Sequence, residues 1–455
     1  MTDISAPQPG ASRAPSPRAA GMKTPSSTRV AAGSGLVPWS RRTWSILIGL
    51  AALSLVLAWA IAARELAETL DSPYMLDLRI YLGASSRIGR GSIYDYADPM
   101  LNLGSTYPPI ASVLFVPLTW VTRRQAEVAW TVVNCACLFG VGALIARRHL
   151  RFDRAQAVVI GAIALAPVLY LRPTFKTVGL GQVNIVLWTI VLVDLFAIGR
   201  RSRAGGIGIG IATACKLVPG IFIVLLLAAR QWAAAARATA AFAAMAALAW
   251  VLDPADSKTY WTKLLWQSDR VGPLGDAQNN SLRFLYANTS LAERAQVVLW
   301  VLSAAAIVGI GLWRSAVALR RGSVLYAALI TGCVAALVSP ISWTHHLVFL
   351  PIVILFLPRT PWKLLGWALV AASLYLLWDP VGAGYNVLTS VLRSWFMILI
   401  VLGVVGTDRP SRMLFPPRDR ASSASGLPER TTGWEQAAAW WRARSGAARD
   451  PVSAA

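Results

Sequence analysis

Four short strings in this 455-residue chain mix carboxylate, cation, amide and aromatic side chains densely enough to do chemistry. The first is Asp77-Leu-Arg79-Ile-Tyr81, followed by Gly91-Ser-Ile-Tyr94-Asp95 and by Thr106-Tyr107-Pro108-Pro109. The second is Gly179-Leu-Gly181-Gln182-Val-Asn184, and the third Asn279-Asn280-Ser281-Leu282-Arg283. The fourth, Ser339-Pro340-Ile-Ser342-Trp343-Thr344-His345-His346, carries two of the three histidines. Lys216 stands apart, at Lys216-Leu-Val-Pro219-Gly220 inside an apolar stretch. Arg, Lys and protonated His hold phosphate through charge-assisted hydrogen bonds. Asn and Gln both donate and accept, which suits sugar hydroxyls, and Tyr and Trp offer flat faces for sugar rings. Gathered at one place, these residues would suit a substrate bearing both phosphate and hydroxyl groups.

Each residue also has a plainer reading. Asp77 could pair with Arg79 or Arg87 as a loop salt bridge, and the His345-His346 pair could cap or anchor a helix. Lys216 could snorkel to an interface, although an ionisable group at membrane depth is costly and usually faces a cavity or a partner. Gln182 and Asn184 could simply bond neighbouring helices. Asp194, near Arg200 and Arg201, reads as a paired acid. No carboxylate or third His stands beside the His pair at metal-ligand spacing, so no metal site is expected. Cys135, Cys137, Cys215 and Cys333 lie in apolar segments and read as small hydrophobes, with neither disulfide nor structural zinc.

The elements that must hold these strings are membrane helices. Hydrophobic residues make up 56% of the chain and charged residues only 14%, against the ~25% usual in soluble domains. The mean hydropathy is +0.54. Apolar runs recur at about 44–64, 125–146, 155–171, 183–199, 236–251, 295–313, 323–339, 346–358, 362–378 and 389–406. Most approach the length a bilayer requires, which predicts an all-α polytopic membrane protein with about 10 spanning helices. The stretch 205–230 is broken by Lys216–Gly220 and predicts two half-helices in a hairpin. Tyr107–Val121 predicts a re-entrant or juxtamembrane segment.

A net charge of +22 would suggest nucleic acid on a soluble protein. Here about 28 of the 43 Lys and Arg fall in the tails and alternate loops, as the positive-inside rule requires of cytoplasmic segments. Residues 1–43 then form a polar cytoplasmic N-tail, expected to be disordered, and 407–455 a cytoplasmic C-tail with a candidate interfacial helix at Trp434–Arg444. The loops 65–124 and 252–294, and all four polar strings, are expected on the extracytoplasmic side. No nucleic-acid partner is expected.

No phosphate-binding Gly-rich loop, nucleophile elbow or zinc-protease motif is present. The three-glycine run Gly206-Ile-Gly208-Ile-Gly210 reads as close helix packing. An outward-facing transferase cannot use cytoplasmic nucleotide sugars, so its donor would be a sugar on a lipid phosphate. The first-loop string through Tyr107-Pro108-Pro109, with Leu180–Asn184, Lys216–Gly220, Asn279–Arg283 and Ser339–His346 in that order, resembles the GT-C glycosyltransferases of family 87 over about residues 44–406. Those are actinobacterial mannosyl- and arabinofuranosyltransferases that use polyprenyl-phosphate sugars.

The resemblance implies a GT-C catalytic domain over 44–406 in a cell membrane, with a polyprenyl-phosphate donor and a glycan or glycolipid acceptor. Asp77 would be the general base of an inverting transfer, and mannose the expected sugar, with arabinofuranose the alternative. Arg79, Lys216, His345 and His346 become candidates for the donor phosphate. Tyr81, Tyr107, Gln182, Asn184, Asn279, Asn280, Arg283 and Trp343 become candidates for sugar or acceptor contacts. Arg79 stands where many GT-C enzymes carry a second acid, so no metal cofactor is expected. A transporter or flippase for lipid-linked sugars is the rival class, but it would carry paired broken helices, and only one break, at Lys216–Pro219, is evident.

Overall fold

The computed structural model describes residues 39–68, 75–199, 202–356 and 387–404. The expectations for the two tails and for a helix at 362–378 lie outside these residues.

Among the described residues the chain is all-helical, with only two isolated bridges. Helix α1 runs Arg41–Glu68. In the first loop, α2 (Leu76–Ser85) and α3 (Pro109–Phe115) are short. Next come α4 (Arg123–Arg148) and α5 (Arg154–Tyr170), each opened by a capping box, Thr122 with Gln125 and Asp153 with Gln156. The chain then bends by 80° into α6 (Arg172–Gly179). Helix α7 (Asn184–Gly199) leads to the two half-helices α8 (Ile207–Cys215) and α9 (Ile221–Ala228). They are followed by α10 (Trp232–Leu252), α11 (Pro254–Thr262), α12 (Leu282–Ala287), α13 (Glu293–Arg320), α14 (Val324–Val338) and α15 (Val387–Leu402).

Four of these helices are long and apolar enough to cross a bilayer: Arg41–Arg64, Arg123–Arg148, Trp232–Leu252 and Glu293–Arg320. The bent pair α5 and α6 makes a fifth if it is one broken span, and five shorter apolar helices accompany them, so the structure supports a membrane protein with four or five full-length spans among the described residues. Large apolar side chains such as Leu53, Trp59, Val251, Leu302 and Trp313 are exposed on the long helices, as lipid-facing surfaces require. Helix α14 is the opposite case. It is buried from Val324 to Leu337 and forms the centre of the bundle.

The run 346–358 does not form a spanning helix. Its described part is two 3-10 turns, Thr344–His346 and Leu350–Leu355, the second with Pro351 near its start. Proline supplies no backbone donor there, and Phe349 instead seats against Gly332 of α14.

The break at Lys216 is a hairpin. Gly206, at the start of α8, packs on Ala234 of α10, and Gly210 packs on Ala238. The chain leaves that end through α8, turns at Lys216–Gly220, and returns through α9 to Arg230. Asp194 fixes the entry by accepting the amides of Gly206 and Ile209 at 2.8 Å each. It therefore caps α8; the arginines at 200 and 201, with which a pairing was expected, lie outside the described residues.

Candidate active site

Asp77 is placed by two helix ends that satisfy one another. Met75, in a left-handed conformation, starts α2, and its amide donates to the Gly179 carbonyl at 2.8 Å. The amides of Asp77 and Leu78 both donate to the Leu180 carbonyl, at 3.0 and 3.3 Å. The first turn of α2 thus spends its orphan donors on the terminal carbonyls of α6. Gly181 makes the approach feasible: its φ is +67°, and a Cβ there would lie 2.6 Å from Leu78 Cβ. Trp130 of α4 locks the same turn by donating to the Gly181 carbonyl at 2.8 Å.

Asp77 opens into a cavity of about 520 Å³ that Tyr81, Tyr107, Gln182, Lys216, Trp343, His345 and His346 also line. A continuous hydrogen-bond chain crosses it. Tyr81 and Tyr107 both donate to Gln182 Oε1, at 2.9 and 3.0 Å. That leaves the Gln182 amide nitrogen to bond the Asp77 carboxylate. Burial pushes the Asp77 carboxyl up to about 6, against the opposing pull of this bond and of the Lys216 charge.

Lys216 sits in extended backbone between α8 and the next turn. Its Nζ donates to Tyr107 Oη at 2.9 Å and to Asn184 Oδ1 at 2.9 Å, and lies 3.1 Å from His346 Nε2. An ammonium only donates, so His346 accepts at Nε2 and carries its own proton at Nδ1. Asn184 in turn donates to the His345 carbonyl at 2.8 Å. Burial, then the Lys216 charge, hold both imidazoles well below their ordinary value. The expectation of protonated histidines is not supported: burial first, and then the neighbouring lysine, favour neutral rings. His345 Nε2 is buried without a partner among the described residues.

A second cavity, about 80 Å³ and mostly apolar, adjoins this cluster. It shares Asn184, Lys216 and His346 with it and is walled by Trp188, Phe222 and Phe349.

Residues 106–340, more than half of the chain, match the profile of glycosyltransferase family 87. The chain belongs to that family. This family 87 enzyme is 30% identical, over 85% of its length and 96% of the relative's, to a polyprenol-phosphate-mannose-dependent alpha-(1-2)-phosphatidylinositol mannoside mannosyltransferase of Mycobacterium tuberculosis. The protein with the corresponding description from Mycolicibacterium smegmatis is 29% identical over 83% of the chain and 92% of its own length. A phosphatidylinositol pentamannoside mannosyltransferase of the same organism is 32% identical over 66% of the chain and 74% of its own length. No solved structure matches. The protein is a membrane glycosyltransferase.

Five candidates in this family 87 enzyme do not line the larger cavity; of these Asn184 borders the smaller one and reaches Lys216, and the other four are engaged elsewhere. Arg79 is locked in a buried ion pair with Asp98 at 2.7 Å, the two side chains 8% and 2% exposed, so the structure turns it away from a donor phosphate. Asn279 accepts the amides of Ser281 and Ser342 and donates to the carbonyls of Leu274 and Pro340. Asn280 donates to the carbonyls of Gln278 and Ser342. With Ser281, which donates to Pro340 and caps α12, they clasp the loop that carries Trp343 and the histidines. Their buried amides replace the ladder that an isolated bridge, Asn279 to Trp343, cannot supply. Arg283 is buried and reaches Gln296 at 3.4 Å.

Sequence reading missed Tyr260, Gln267, Arg270 and Gln278, all of which line the cavity. They lie within the loop 252–294 that was expected to contribute. Ser268-Asp269-Arg270 has the composition of any solvated loop, and no spacing rule sets Arg270 apart.

Proposed function

We propose that this enzyme transfers mannose from a polyprenyl-phosphate donor to a hydroxyl of an envelope glycan or glycolipid, on the extracytoplasmic face of the cell membrane. The supporting observation is that one carboxylate raised to about 6 and one lysine face the same cavity, held apart by Gln182. The names of the mycobacterial relatives favour mannose and a polyprenyl-phosphate donor. The excess of Lys and Arg in the loops opposite the cavity favours its outward orientation.

In this reading the helices carry a GT-C type of site. The Asp77 carboxylate takes the proton of the acceptor hydroxyl as its oxygen attacks the anomeric carbon. The bond from that carbon to the phosphate oxygen breaks, and polyprenyl phosphate leaves with the bonding electrons. Lys216 meets the charge that develops on the leaving phosphate, and the neutral rings of His345 and His346 complete the pocket. The first isoprene units enter the apolar cavity beside Trp188 and Phe349. Attack opposite the leaving group inverts the centre, so a β-linked donor yields an α-mannoside. A monoester leaving group facing a fixed lysine needs no divalent metal.

The direct test is Asp77→Asn in vesicles supplied with polyprenyl-phosphate mannose. The expected outcome is a folded, membrane-inserted protein without transfer. Transfer at the wild-type rate would remove Asp77 from the role of base.

A further inference from the structure

Of the charged side chains on the cavity wall, Asp77 and Lys216 have roles above, and Arg270 has none. Arg270 lies in the 3-10 turn Ser268–Val271 of the second long outer loop. Its Nη1 makes one long contact, 3.4 Å, to the Ser105 carbonyl, and its Nε is buried without a partner. The guanidinium carbon stands 6.0 Å from the centre of the Tyr94 ring. Tyr94 stacks on Tyr260 at 6.0 Å and donates to the Tyr107 carbonyl at 2.8 Å. Arg270 is thus tied through Tyr94 to the tyrosine that links Gln182 and Lys216.

Among the described residues no carboxylate pairs with Arg270. Asp253 and Asp256, of the same outer loop, are committed elsewhere, accepting the amides of Gly89 at 2.8 Å and Ile93 at 2.7 Å. A half-buried guanidinium with an unused donor and no counter-ion is an unbalanced charge. Arg270 is therefore a cation on the cavity wall to which the donor assignment gives no anionic partner. A planar guanidinium pairs two oxygens of a phosphodiester at once, as a lysine does not.

We propose that Arg270 binds an anionic group of the phosphodiester class on the acceptor, so that this enzyme selects anionic glycolipids over neutral glycosides. The inference rests on the donor assignment given above, in which Lys216 takes the donor phosphate. It makes Arg270 a specificity residue that acts on one substrate only.

The test uses full-length enzyme in zwitterionic vesicles with two mannosyl-lipid acceptors of equal chain length, one joined through a phosphodiester and the other through an uncharged ether. For the wild type, the KM of the charged acceptor should be lower by about tenfold, the effect of one charge-assisted hydrogen bond pair. Arg270→Gln should erase that difference, Arg270→Lys should restore part of it, and neither should alter the donor KM. Equal KM values in the wild type overturn the proposal without recourse to any variant. A rise in donor KM, or an equal rise for both acceptors in Arg270→Gln, also overturns it. So does a preference that follows added anionic bilayer lipid instead of acceptor charge. Transfer to neither acceptor overturns the proposed function as well, whereas transfer without charge preference overturns this inference alone.

Discussion

Replacing Lys216 by methionine removes the ammonium from the cavity wall and should change two separate observables. The ammonium is held by Tyr107, Asn184 and His346 within 2.9–3.1 Å, so it is already positioned when the donor arrives. A hydrogen bond to a charged group contributes about 1.5–3 kcal/mol, so kcat/KM for the lipid donor should fall about 10- to 150-fold. The second effect is on Asp77. The bonded path from its carboxylate through Gln182 and Tyr107 to Lys216 is short, and the two charges lie within about 10 Å. At an effective dielectric of about 20 that separation is worth about 1.7 kcal/mol, and solvent in an open cavity reduces it.

Lys216 lowers the Asp77 carboxyl, so its loss must move the carboxyl upward. A base works only when ionised, so kcat/KM rises with pH through the carboxyl's value and levels off above it. The wild type should turn over near pH 6, and Lys216→Met should do so about half to one pH unit higher. The assay is transfer of labelled mannose from polyprenyl-phosphate mannose across pH 4.5–8, at donor concentrations well below KM. Lys216→Arg keeps the charge and serves as the control. An acid limb that stays in place, or moves to lower pH, in the methionine variant would show that the two groups do not share a cavity.

The remaining expectations concern scaffold and metal. Arg79→Met should destabilise the protein by about 3–5 kcal/mol by leaving the buried Asp98 charge without its counter-ion, read as a lower melting temperature in detergent; Asp98→Asn added to it, which removes the charge and keeps an acceptor for the Met100 and Leu101 amides, should recover most of the loss, and the donor KM should not change. Asn279→Ala leaves two backbone amides and the Leu274 carbonyl unmatched, while Pro340 keeps its bond from Ser281, and should cost about 2–4 kcal/mol. It should also lower kcat through the displaced Trp343 loop, whereas a melting temperature equal to the wild type would refute the clasp. Transfer should survive EDTA, and a strict requirement for Mn²⁺ or Mg²⁺ would contradict a leaving group stabilised by Lys216 alone.

Asp77, Gln182, Lys216 and His346 were legible in the sequence because their types are costly near lipid unless a cavity or a partner receives them. Arg79 was misread for a reason visible in retrospect. Once Leu76–Ser85 is a helix, residues two apart point to nearly opposite sides, while Tyr81, four after Asp77, shares its face. Asp77 and Tyr81 therefore both reach Gln182, and Arg79 turns to Asp98. The asparagines of the third string were ambiguous in principle. A dense amide string has the same composition whether it binds a sugar or closes two loops, and only the backbone partners of Asn279 decide between them. The short run after His346 failed as a span because hydropathy does not register that Pro351 lacks an amide donor.

In the proposed reaction, the interposed glutamine lets a base and a cation serve one step without cancelling each other. A lysine in direct contact with Asp77 would lower the carboxyl by about 1–3 pK units and make it a poorer base. It would also spend on Asp77 the charge that a leaving phosphate needs. Gln182 prevents this because its carbonyl is saturated by two tyrosine hydroxyls, which turns the amide nitrogen toward Asp77. An amide neither gains nor loses a proton at these pH values, so the chain from Lys216 to Asp77 transmits orientation but not protons. The proton taken from an acceptor hydroxyl must then stay on Asp77 until the cavity opens to water. Burial favours this as well, since it raises the carboxyl toward the pH at which a base both ionises and holds its proton.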